Sequence, residues 1–155
     1  MHRTLLIVHA LCALALVGSI THHFIWSVRY LRGQFGRARQ ERMFLAIATA
    51  LFGVVFTLGL VLYPQYKLEV RVGWLDAHHP GVAKLFDIKE HAMMVALGLL
   101  VAQNLLARRG HPAESKDPVS RLTYVGIAGL STLLIWAAAV IGLLTVSYKS
   151  FGGGA

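Results

Sequence analysis

At 155 residues, 56 % of them hydrophobic and only 14 % charged, with a mean hydropathy of +0.60, the chain is too apolar for an ordinary soluble domain and has the composition of a bilayer protein. Its formal charge of +8 does not point to nucleic acid, because the Lys and Arg residues flank apolar runs rather than covering one soluble face. Cys12 is the only cysteine, which excludes an internal disulfide, and its place in an apolar run makes it a small packed side chain.

The first apolar run extends from Leu5 to Val28 behind a short basic start, a layout shared with secretory signal peptides. A signal core is shorter, and this run closes on His22, His23, Phe24, Ile25 and Trp26 before an arginine-rich stretch, as a membrane interface does. It is predicted to stay as helix one, about 5–28. The second run, 43–63, is expected to stop at Pro64, whose ring fixes φ and removes an N–H. The third, Ala92 to Ala107, is short for a span and contains Gln103 and Asn104, so its helix is expected over about 87–107. The fourth covers about 122–147, between Arg121 and Lys149. These runs predict one all-α integral membrane domain, 1–155, a four-transmembrane-helix bundle with a structured loop between helices two and three.

Lys and Arg are retained on the cytoplasmic side. The first loop carries Arg29, Arg32, Arg37, Arg39 and Arg42, and the third carries Arg108, Arg109, Lys116 and Arg121. Both loops are expected in the cytoplasm, with both termini and the second loop outside, in a bacterial inner membrane. The second loop, Pro64 to Glu90, holds Trp74, Leu75, Val82, Leu85 and Phe86 among its charges, too apolar for a plain connector, and is expected to fold over the outer mouth of the bundle. Gly152, Gly153 and Gly154 read as a flexible tail.

An ionisable side chain inside a span costs several kcal/mol unless it finds a partner, so intramembrane histidines are candidates for function. His9 stands 20 residues before Arg29 and His91 stands 17 before Arg108, which puts them at similar heights on helices one and three. Two neutral imidazoles at one depth in an apolar bundle suit the axial positions of a b-type haem, with His9 and His91 as the iron ligands. Gly98, on the His91 face, and Thr49, Gly53 and Thr57 on helix two offer room for the macrocycle, and Arg71 and Lys89, with Arg3 and Lys67, offer cations for its propionates. The plain alternative gives His9 a neighbouring carbonyl, leaves His91 at the interface and assigns the glycines to helix packing.

Fourteen residues separate His9 from His23 and return to nearly the same face. Helix one in this respect resembles membrane cytochromes b with two stacked haems. Helices two and four lack a histidine, so a second haem has no opposite ligand unless His111 folds in, and one haem at most is expected, with His22 and His23 interfacial. Copper is a further reading, since His9 with Cys12 and His91 with Met94 form helical i, i+3 pairs of nitrogen and sulfur ligands. In the second loop Trp74, Asp76, His78 and His79, followed by Asp87, Glu90 and His91, offer imidazole and carboxylate to a divalent metal, though a solvated loop has the same composition. Common hydrolase, zincin and P-loop patterns are absent from the sequence.

In layout the chain resembles small membrane cytochrome subunits, such as the haem-bearing anchors of succinate dehydrogenase and the four-to-six-helix b561-type proteins. That resemblance implies electron transfer within the membrane as part of a larger complex. With no flavin or nicotinamide motif, electrons would come from a quinol or another membrane subunit, and the chain would not be a self-contained enzyme. The competing expectation is a cofactor-free accessory or scaffold subunit that docks a partner through the outer loop.

Overall fold

The computed structural model describes residues 3–115 and 117–152, with side chains described as far as residue 147. Lys116, the side chain of Lys149 and the end of the glycine tail lie outside the described residues. Helix α1, Arg3–Val28, tightens into a 3-10 helix, Arg29–Arg32. Gly33, at φ 67°, ends it, and its N–H donates to the Tyr30 carbonyl. That left-handed backbone favours glycine.

Helix α2, Ala38–Tyr66, runs through Pro64 rather than stopping at it. The chain continues as a π-helical stretch, Lys67–Leu75, and a single turn α3, Asp76–His78. Pro64 has no N–H to offer the Leu60 carbonyl, but the Lys67 N–H again reaches the Tyr63 and Pro64 carbonyls, so backbone hydrogen bonding resumes past the ring. The real break comes at His79, in an extended conformation at φ −143°, and Pro80 opens α4, Pro80–Arg109, at the position where a missing N–H does least harm. The third long helix thus begins seven residues before the expected Asp87, and the stretch from Pro64 to Glu90 is helical. Val70, Leu75, Val82 and Ala83 bury one another there, beside Tyr66 and Trp74, in a small core of their own. Packing within this hairpin gives its apolar residues their cover. Asp117 caps α5, Pro118–Gly152, its carboxylate accepting from the Val119 and Ser120 N–H groups at 3.1 and 2.9 Å.

The long helices form a ring in which α1 packs on α2 and α5, α4 packs on α5, and α2 meets α4 more lightly. Its centre is filled by Leu16, Val17 and Ile20 of α1, Leu45, Phe52 and Val55 of α2, Ala96 and Leu100 of α4 and Ile135 of α5. Leu11, Leu14, Leu60, Val61, Leu133 and Leu143 are each more than half exposed. A continuous core inside and a greasy surface outside is how a bundle meets lipid. Three helical runs, Arg3–Arg32, Ala38–His78 and Pro118–Ser147, are long and apolar enough to cross a membrane. Helix α4 has the length, with Lys84, Asp87, Lys89 and Glu90 in its first half and Gln103 and Asn104 near its end. Asn104 Nδ2 donates to Thr49 Oγ1 at 2.9 Å, and Trp136 Nε1 donates to Thr21 Oγ1 at 3.0 Å, tying α4 to α2 and α5 to α1.

Candidate functional site

Glu41 stands in the first turn of α2, where the helix dipole favours a carboxylate, and its side chain is 0 % exposed. Burying a charge there is tolerable only if every oxygen is served. The Tyr124 hydroxyl donates to Oε1 at 2.6 Å, and the Tyr30 hydroxyl and His111 Nε2 donate to Oε2 at 3.2 and 2.9 Å. Ser27 Oγ donates to the His23 carbonyl at 2.8 Å and lies 3.5 Å from Oε1. His23 Nδ1 lies 2.9 Å from Oε1 but off the hydrogen-bond direction, and its Nε2 is buried without a hydrogen bond. These groups come from the end of α1 and the 3-10 helix that continues it, the loop at 110–115 and α5. With Glu41's own helix, four separate stretches of chain meet at one carboxylate.

The His111 ring fixes its own protonation state. The Ala113 N–H donates to Nδ1 at 3.2 Å, so Nδ1 presents a lone pair and the ring proton sits on Nε2, facing Glu41. His111 is buried although it belongs to a loop, and Pro112 beside it is buried as well, so this part of the loop lies against the end of the bundle. At the rim Arg42 pairs with Glu114, and that ion pair holds the exposed Glu114 carboxyl below the usual carboxylate range. Gln103 Nε2 reaches the Tyr124 carbonyl at 3.3 Å, while its Oε1 is buried without a hydrogen bond. The hub therefore contains a satisfied carboxylate and, beside it, two polar atoms with unused capacity, His23 Nε2 and Gln103 Oε1.

Sequence reasoning passed over Glu41 because it looks like one more charged residue in an arginine-rich loop. A usable signal was present: Glu41 is the sole acidic residue before Glu69, next to a predicted span. Tyr30 and Tyr124, 94 positions apart, had no such signal. The possibility that His111 folds in is realised, but toward a carboxylate.

The residues expected around a haem are scattered. His9 is half-buried between α1 and α2, its Cε1 3.6 Å from where a Cβ on Gly59 would lie. His91 is exposed and its Nδ1 meets the Asp87 carbonyl of its own helix at 2.8 Å. The inward face of α4 carries Phe86, Ala96, Leu100 and Gln103, with Lys89 and Met93 along the same line, and His91 falls two residues from each of those last two, half a turn away. Gly53 and Gly98 are exposed as well. Arg71 pairs with Asp87 at 2.6 Å. Helices α1 and α4 stand diagonally across a ring whose centre is occupied by Leu16, Phe52, Leu100 and Ile135. Arranged this way, His9 and His91 do not make a seat for a macrocycle.

The other histidines also point elsewhere. His22 is exposed, bonded to the Gly18 carbonyl and stacked on Phe44, whereas His23, expected at the interface beside it, is wholly buried in the hub. His78 bonds the Trp74 carbonyl, and His79 tilts against the Trp74 ring. Met94 is 58 % exposed while Cys12 packs on the core, so the two pairs proposed for copper do not converge. Among the described residues no group of three His, Cys, Asp or Glu side chains is placed to hold a metal ion. No protein-family model, curated protein or solved structure matches the chain.

Proposed function

We propose that the protein is a proton-responsive four-span membrane protein, in which the Glu41 hub binds and releases protons and thereby sets the position of the 110–117 loop. One observation carries this reading: a carboxylate removed from solvent, bridging two histidines and two tyrosine hydroxyls drawn from distant parts of the chain. A purely structural latch could be built from neutral groups, and a buried carboxylate between two imidazoles is a costly substitute unless its titration is used. Helix α4 is the fourth span in this reading, packed on α5 along the bundle. The arginines on either side of Glu41 put the hub on the cytoplasmic side of an inner membrane and both termini outside.

The hydrogen-bond directions dictate what a proton does. In the structure Glu41 is an acceptor for three donors, and His111 accepts from Ala113 through Nδ1 while donating through Nε2. A proton arriving at Nδ1 turns that nitrogen into a donor facing the Ala113 N–H. The Glu41 contact survives as an ion pair, and the Ala113 contact is lost, which releases the Ala113 N–H from a turn otherwise held by the Glu114 and Ser115 N–H groups on the His111 carbonyl. His23, with an uncommitted Nε2, is the second ring that can take a proton beside the same carboxylate. Arg42 and Glu114 at the rim hold the loop from outside in the meantime.

Infrared difference spectra of the detergent-purified protein, recorded as pH falls from neutral, test the reading. A protonated-carboxyl band or an imidazolium band that rises in the wild type and vanishes in Glu41→Gln and His111→Gln is the expected result. Spectra unchanged by either substitution would leave the hub a static latch. A visible spectrum of the same preparation tests the haem expectation independently.

A further inference from the structure

Two arginines share one aromatic ring on the outside of the bundle, at the end that holds the hub. Trp26 stands in the last turn of α1, and the guanidinium carbons of Arg29 and Arg37 lie 5.2 and 4.6 Å from the centre of its ring. A guanidinium on an indole spends its flat face on the ring and keeps its N–H groups free at the edge, held in a plane that matches a phosphate. Among the described residues, the side chains of this pair have one hydrogen-bond acceptor, Gln34 Oε1, which takes Arg29 Nε at 3.1 Å.

No carboxylate is left to neutralise them. The chain has seven acids, and Glu69, Asp76, Asp87 and Glu90 lie in the hairpin at the far end. Of the three at this end, Glu41 is enclosed in the hub, Glu114 pairs with Arg42, and Asp117 caps α5. Two like charges on one ring therefore call for an anion from outside the chain. The surroundings say which kind. Helix α1 is long and apolar enough to cross a membrane, and Ile25, Leu31 and Met43 beside the arginines are each half exposed or more. Apolar surface thus reaches up to the level of the guanidinium groups, as it does where acyl chains give way to headgroups. One turn deeper on the Trp26 face, exposed His22 stacks on Phe44 at 5.0 Å, a flat strip on which a chain can lie.

We propose that Arg29 and Arg37, stacked on Trp26, form a docking site for the headgroup of an anionic phospholipid, whose phosphate accepts from their free N–H groups. Opposed to this is a general surplus of arginine on one side of the membrane, in which position and planarity do not matter and Arg108 counts as much as Arg37.

The test uses full-length protein purified in neutral detergent, with phosphatidylglycerol, phosphatidylcholine or inorganic phosphate added separately. Lipid retention is read by native mass spectrometry, and stabilisation by a tryptophan-fluorescence melt. Retention of phosphatidylglycerol over phosphatidylcholine, weakened roughly fivefold by Arg37→Gln, is expected from the worth of one cation near an anionic headgroup. Arg37 is exposed, so its variants should fold as the wild type does. Arg37→Lys keeps the charge but loses the plane that stacks and forks, and should weaken retention several-fold as well. Arg108→Gln, at an exposed arginine with no ring beneath it among the described residues, should not. Overturning results are equal retention of the two lipids, wild-type retention by Arg37→Lys, or an equal loss in Arg108→Gln. Stabilisation by inorganic phosphate as large as that by phosphatidylglycerol would put a soluble anion on the arginines and overturn the lipid assignment. None of these readouts depends on the titration of Glu41.

Discussion

Glu41 and its donors are not equivalent, and stability measurements should show it. Glu41→Ala strands two tyrosine hydroxyls and the His111 Nε2–H away from solvent, and each buried donor left without an acceptor costs about 1–3 kcal/mol, so the loss should exceed that of any single donor. Tyr124→Phe takes away one donor while the carboxylate keeps others, and should cost about 1–3 kcal/mol in the same detergent melt. The reverse order would mean that Tyr124 acts through packing and that the carboxylate is incidental. At this scale the sequence misled by treating depth as proximity. His9 and His91 are level by residue count, but depth along a helix carries no information about direction around it. The direction was readable on α4: Ala96, Leu100 and Gln103 mark the inward line, and Lys89 lies nearer to it than His91. Nothing comparable marked Tyr30 or Tyr124, because tyrosines near span ends are also what an aromatic belt supplies.

Among the elements, the four long helices were legible from apolar runs bounded by charges, and their starts and stops were not. Pro64 reads as a terminator, yet a π-helical stretch follows it and carries the helix on to Leu75. That continuation packs against the hairpin partner across from it, Val82 and Ala83 on Val70 and Leu75, a contact no local pattern encodes. Close approach between helices was hidden for the same reason. A Cβ at Gly129 would meet Phe24 Cε2 at 3.0 Å, so α1 and α5 touch where one side lacks a side chain. Gly129→Ala should therefore destabilise by about 1–3 kcal/mol, the usual cost of overpacking. Phe24→Leu in the same chain should recover part of the loss. Additive losses in the double variant would show that Gly129 and Phe24 do not press on each other.

For the whole molecule, the ring of helices places its two polar concentrations at opposite ends, with a dry core of Leu16, Phe52, Leu100 and Ile135 between them. In the proposed reading the hub senses protons from one side of the bundle. In the proposed topology, which rests on the arginines of the first and third loops, that side is the cytoplasm. Both claims meet in the loop that His111 holds down. In a Cys12→Ser background the chain has no other thiol, so Ala113→Cys reports on that loop alone. Its rate of reaction with a membrane-impermeant, pH-tolerant thiol reagent, in inside-out vesicles stepped from neutral to acid pH, is the most direct measurement. The expected result is a rate that climbs several-fold on acidification, a flat profile when His111→Gln is added, and little reaction in right-side-out vesicles. A rate independent of pH in the His111-bearing chain would contradict the proton-responsive hub.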